Sequence, residues 1–200
     1  VKHIYLNKED LKRFCGFNTD VQNSLFCVAS MNSDGYVREE ALLFLINSPT
    51  QGTFPFILFR LSDWVPAIRQ IAESGVRQLI LQQEPRFVIR HHKILDWLLK
   101  VQRADLKGIH LEVTEFIFSD KNIQKIIQNL EDYEEGDRYF IFRNIVTRNK
   151  LDNRILERIL TDRNYLVRLL AVRNIDLIER PEILKRLLKD RSQKIRHYAI

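Results

Sequence analysis

The chain has 200 residues, of which 45% are hydrophobic and 29% charged, enough apolar material to bury a substantial core. Its 6 glycines and 5 prolines are too few for a loop-rich sandwich or a disordered chain, and no run approaches the roughly 18 apolar residues of a membrane span. The net charge of +6 is unevenly placed: residues 1–137 hold 16 Lys/Arg and 19 Asp/Glu, whereas residues 138–200 hold 16 Lys/Arg and 7 Asp/Glu.

A first helix is expected over 7–17, with Asn7 as its cap and Asp10 in its first turn. Thr19-Asp20-Val21-Gln22 reads as a capping box that opens a helix to about Met31. Asn32-Ser33-Asp34-Gly35 is a turn, and a helix follows over 36–46. Beyond a loop marked by Pro49 and Gly52 comes a short apolar helix over 54–61. Asp63 caps a longer one running to about Gln82, with Pro66 in its first turn, where a missing N–H is harmless. Glu84-Pro85 starts a single long helix to about Arg103. Helices over 109–118 and 121–130 come next, with Ser119 as a cap between them. The last expected helices are 138–149, 153–161, 164–175, 182–189 and 192–200, Pro181 standing at a helix start. The Phe54–Phe59 and Phe140–Phe142 stretches could locally be strands, but the caps and repeats around them favour buried helix.

Self-similarity is the most informative feature. Ile155-Leu156-Glu157-Arg158-Ile159-Leu160-Thr161-Asp162-Arg163 matches Ile183-Leu184-Lys185-Arg186-Leu187-Leu188-Lys189-Asp190-Arg191 at a constant offset of 28. Upstream, Ile145-Val146-Thr147-Arg148-Asn149 resembles Leu170-Ala171-Val172-Arg173-Asn174 at an offset of 25, the difference falling in a turn. A wider pattern places Arg six positions after an acidic or amide residue, with an apolar residue before the Arg and a small one three after it. The sets are Asn32/Val37/Arg38/Ala41, Asp63/Ile68/Arg69/Ala72, Asp137/Phe142/Arg143/Val146, Asp162/Val167/Arg168/Ala171 and Asp190/Ile195/Arg196/Ala199. Glu84/Ile89/Arg90 begins it, and Lys93 breaks it. The spacing suits paired helices: Asp63, Asp137, Asp162 and Asp190 cap the second helix of each pair, alanine admits a close neighbour, and the Arg reaches the turn Asp of an adjacent repeat.

In these Asp and Arg pairs, with Val/Ile before the Arg and Ala after it, the chain resembles the HEAT-repeat family, in particular its short bacterial, PBS-lyase-type form. The match covers 32–48, 54–75 and 137–200 and is weak across 84–130. The resemblance implies one all-α, right-handed solenoid of roughly six helix pairs over 1–200. It says little of function, since such arrays serve as scaffolds, receptors, lyase-like proteins and repair enzymes. The final motif stops mid-helix at Ala199-Ile200, so the array is expected to continue.

No phosphate loop, nucleophile elbow or metal-ligand spacing is present, and neither cofactor nor catalytic residue is expected. The histidines are His3, His91, His92, His110 and His197, and the adjacent His91 and His92 face different directions on a helix. Cys15 and Cys27 read as buried small hydrophobes; with no disulfide framework and no signal-peptide pattern at Val1-Lys2-His3-Ile4, a cytoplasmic protein is expected. Asp63-Trp64 and Asp96-Trp97 invite comparison with the HEAT-like DNA glycosylases, which set aromatic residues beside a catalytic Asp in a basic cleft; here Asp63 reads as a cap and Trp64 as a packing residue. The expected function is a non-enzymatic scaffold for an acidic protein, with Arg143, Arg148, Arg168, Arg173 and Arg196 as the partner-binding set and no membrane or small-molecule substrate. A nucleic-acid module gripping duplex DNA in a basic groove is the alternative.

Overall fold

The computed structural model describes residues 6–175 and 179–200, so His3 lies outside it. Among the described residues the molecule is all-helical: 71% of them lie in 14 α-helices and two short 3-10 turns, with no strand. The chain divides into two compact units, one ending at Ser119 and the other beginning at Asp120.

In the first unit the helices are α1 (Lys8–Phe14), α2 (Thr19–Ala29), α3 (Gly35–Asn47), α4 (Phe54–Arg60), α5 (Pro66–Leu79), α6 (Pro85–Arg90), α7 (His92–Leu98) and α8 (Lys107–Ile117). Asn7 and Asp10 form a reciprocal capping box at α1, each side chain taking the other's backbone N–H at 3.0 Å. At α2 the cap is Asn18 rather than the expected Thr19; its Oδ1 accepts the Val21 N–H at 3.0 Å, and Thr19 is the first helical residue. α2 packs on α3, α3 on α5, and α4 on α5, so successive hairpins share faces. The shared face contains Val37, Ala41, Ile68 and Ala72, all fully buried. A large aliphatic side chain in such a position contributes about 1.5–3 kcal/mol. The small residues set the spacing: a Cβ on Gly75 would meet Ile46 Cδ1 at 2.5 Å, so α5 lies tightly against α3.

The single helix expected over 84–103 is two. It breaks at His91, whose φ of −103° and ψ of 18° leave helical geometry. The His91 and His92 rings hydrogen-bond back to the carbonyls of Phe87 and Ile89 at 2.9 and 3.1 Å, taking up backbone acceptors that the break releases.

The second unit contains α9 (Asp120–Gln128), α10 (Glu135–Thr147), α11 (Asn153–Thr161), α12 (Tyr165–Asn174), α13 (Pro181–Leu188) and α14 (Gln193–Tyr198). α12 packs against α10, α11 and α14, and α13 packs on α14. Val167, Ala171 and Ile195 are fully buried there, in the same motif positions as their counterparts in the first unit. α10 ends on Asn149 with a φ of 53°, where the Lys150 N–H reaches back to the Ile145 carbonyl at 3.1 Å and the Asn149 N–H to Val146.

Candidate functional site

The repeated motif builds a rung between neighbouring helix pairs. Each turn acid folds its carboxylate over the backbone: Asp63 Oδ1 accepts the Val65 N–H at 2.9 Å, Asp162 Oδ1 the Asn164 N–H at 2.7 Å, and Asp190 Oδ1 the Ser192 N–H at 2.7 Å. Val65, Asn164 and Ser192 are the N-cap residues, so the aspartates organise the turn two residues before the cap instead of capping the helix themselves.

The Arg six positions after a turn residue, acid or amide, points back with one nitrogen. Arg38 Nη1 donates to the carbonyls of Asn32 and Ser33 at 3.0 and 2.8 Å, and Arg168 Nη1 to those of Asp162 and Arg163 at 2.7 and 3.0 Å. The remaining edge grips the next turn's aspartate with two bonds. Arg38 holds Asp63 at 2.8 and 2.8 Å, and Arg168 holds Asp190 at 2.7 and 2.8 Å. This planar, two-pronged geometry suits guanidinium rather than ammonium. Arg69 and Arg196 make the backward bonds, at 2.7 Å to the Asp63 carbonyl and 2.6 Å to that of Asp190, but neither is paired with a carboxylate among the described residues.

The rung at α10 stands in a different register from the expected one. Arg138, not Arg143, donates to the Tyr133 carbonyl at 2.9 Å and pairs with Asp162 at 2.8 Å. Its turn residue, six earlier, is Asp132. Asp137 is the third residue of α10, where it accepts the Glu134 N–H at 3.3 Å in a capping box. The residue before Arg138 is thus acidic, and the apolar position that marks the other copies is missing.

The proposed binding residues have separate surroundings. Arg168 is buried within its rung, out of reach of a partner. Arg143 is half-buried, its guanidinium 5.9 and 5.5 Å from the ring centres of Tyr139 and Phe140. Arg148 donates to Asn144 Oδ1 at 2.7 Å. Arg173 is exposed, 3.2 Å from the Tyr198 hydroxyl, and Arg196 is half-buried against its own turn. Exposed cations outside the expected binding set stand just after the turn acids and on α14: Arg163, Arg191 and Lys194. Arg191 Nη2 donates to the Arg163 carbonyl at 2.5 Å, which sets the two residues side by side.

Burial and charge act in opposite senses on Asp63. Burial alone would raise its pKa, but the Arg38 guanidinium, the Val65 N–H and Arg60 outweigh it and hold the carboxyl below its ordinary range. The Arg168 hydrogen bond does the same for Asp190. A carboxylate held in this way is a poor proton acceptor, which argues against Asp63 as a glycosylase-type base. Trp64 is not a packing residue: it is 77% exposed, with the Arg103 guanidinium stacked 3.8 Å from its ring centre. Cys15 is exposed, contrary to expectation; Cys27 is buried, which pushes its thiol up to about 11. No group of three or more His, Cys, Asp or Glu among the described residues could hold a metal ion, and no described helix is long and apolar enough to cross a membrane. Comparison with family models, curated proteins and solved structures gives no match, so the functional reading rests on the geometry above.

Proposed function

We propose that the chain is a HEAT-like repeat protein, each unit a solenoid-type run of stacked helix pairs, and that it acts as a non-catalytic scaffold for an acidic protein partner. The observation that carries this reading is the division of charge in the second unit. The carboxylates of Asp162 and Asp190 are engaged in rungs with Arg138 and Arg168, while Arg163, Arg173, Arg191 and Lys194 remain exposed. Positive charge that internal acids do not neutralise favours an acidic surface and speeds its approach, within a screening length of about 10 Å at 0.1 M salt.

The test is binding of polyglutamate, as a model acidic chain, beside a random-sequence DNA duplex at equal salt. Polyglutamate is expected to bind in a salt-dependent way. The Arg163→Glu/Arg191→Glu variant should weaken it by at least about tenfold, two charges being reversed at close range, with only a small drop in melting temperature, since Arg191 gives up its bond to the Arg163 carbonyl while both Arg–Asp rungs stay whole. Tighter binding of duplex than of polyglutamate would replace this reading with the nucleic-acid one, and polyglutamate binding that the double variant leaves intact would contradict it.

A further inference from the structure

A cavity of about 370 Å³ lies beside the Arg38–Asp63 rung, within the roughly 300–1,000 Å³ range of small-molecule sites. The comparison that gives it meaning is internal to the chain. In the second unit, every rung has an additional Arg from the preceding helix, and that Arg has a glutamate of its own. Arg158 pairs with Glu131 at 3.3 Å beside the Arg138–Asp162 rung, and Arg186 with Glu157 at 2.8 Å beside the Arg168–Asp190 rung. Two cations meet two anions each time.

In the first unit the additional Arg is Arg60, three residues before Asp63. It shares Asp63 with Arg38, at 2.9 Å from Nη1. The residue before the turn residue Asn32 is Met31; the same position is Glu131 in the Arg138 rung and Thr161 in the Arg168 rung, whose glutamate is Glu157. Arg60 Nη2 therefore faces a thioether sulfur at 3.4 Å, and its buried Nε has no hydrogen-bond partner. The Arg60 side chain is only 10% exposed. Two buried guanidiniums thus share one carboxylate, an arrangement that is costly without a further anion. Arg103, paired with no carboxylate among the described residues, adds a third cation to the cavity wall. The rest of the lining joins Asn32, Ser33 and Ser62 to an aromatic wall: Trp97 stacks on Phe59 at 4.9 Å and 10°, and Trp64, 77% exposed, carries the Arg103 guanidinium over its ring.

We propose that this cavity binds a nucleotide-class ligand, a phosphate monoester carried on a flat aromatic ring, with the phosphate facing Arg60 and Arg103 and the ring against the tryptophans. Three guanidiniums against one carboxylate leave two positive charges, the complement of a phosphate monoester's charge of about −1.5 to −2. An indole face holds any nucleobase by stacking, at about 1–3 kcal/mol per base. The site belongs to the first unit and is independent of the acidic-partner reading, which concerns the second.

The chain has only 2 tryptophans, and both line this cavity, so fluorescence excited selectively at tryptophan, away from the 6 tyrosines, reports on it. Adenosine 5′-monophosphate is expected to change it saturably. Adenosine and inorganic phosphate should each bind at least about tenfold more weakly, roughly one charge-assisted hydrogen bond or one stacking contact. Met31→Glu supplies the absent carboxylate and should weaken the nucleotide by at least about tenfold while the melting temperature holds or rises. Trp64→Ala, a change at an exposed ring, should weaken it too when binding is followed by calorimetry; both variants should leave polyglutamate binding unaltered. A 5′-phosphorylated single-stranded oligonucleotide that binds more tightly than the mononucleotide identifies a strand as the source, and equal or weaker binding identifies the free nucleotide. The proposal falls if neither probe gives a saturable change, if adenosine matches the mononucleotide, or if Met31→Glu and Trp64→Ala both bind as well as the parent.

Discussion

Asp63 accepts four hydrogen bonds, two from Arg38, one from Arg60 and one from the Val65 N–H. Removing its charge leaves two buried guanidiniums without an anion, so Asp63→Asn is expected to lower stability near neutral pH by about 2–4 kcal/mol, read from the urea midpoint. The same carboxylate gives the protein an acid limit. Its folded pKa, like that of Asp190, lies below the unfolded value of about 3.9, so the stabilisation is complete above that value and disappears as pH falls through the folded one. The melting temperature of the parent should therefore drop as the pH is taken below about 4, and Asp63→Asn should flatten that dependence. The register of the motif was readable at Asp63, Asp162 and Asp190, because an apolar residue precedes each Arg six positions on. It was misread at Arg138, where Asp137 occupies the apolar position and the nearby Arg143 satisfies the pattern by coincidence. The third dimension decides there: Arg138 is the residue that grips Asp162.

Helix ends follow the same logic at the next scale. Proline and Asx residues mark most of the starts, and the structure has Pro66, Pro85 and Pro181 in first positions. Ends without such a mark were less legible. The break at His91 has no glycine or proline, and depends on two imidazoles bonding back to carbonyls of the preceding turn. The end of α10 depends on Asn149 in the left-handed region, a conformation that costs an ordinary L-residue about 1–2 kcal/mol and costs Asn less. Asn149→Ala should lower stability by about 1 kcal/mol, and Asn149→Gly should leave it unchanged or raise it by a few tenths, both measured by chemical denaturation. Equal effects of the two substitutions would mean that the turn does not need that backbone geometry.

Across the whole molecule, the helical class was legible because alanine, aliphatic residues and turn acids recur at one spacing, and those positions are the buried ones: Val37, Ala41, Ile68, Ala72, Val167, Ala171 and Ile195. The charge asymmetry was legible as well, but the residues it exposes were not. Arg168, the most regular member of the motif, is buried, whereas Arg163 and Arg191 stand outside the helical face that the pattern describes. The aromatic cavity is not legible in the motif, since its distinguishing feature is a buried Arg60 that shares the Asp63 carboxylate and has none of its own. The central claim is that neighbouring helix pairs are tied to each other through Arg–Asp rungs, so that damage to one rung stays local. Native-state hydrogen exchange of Asp190→Asn tests this most directly. Amides of α12, α13 and α14 should exchange at least about tenfold faster, the effect of losing about 1.4 kcal/mol of local protection, with α2 to α5 unchanged. Equal acceleration throughout both units would contradict the account.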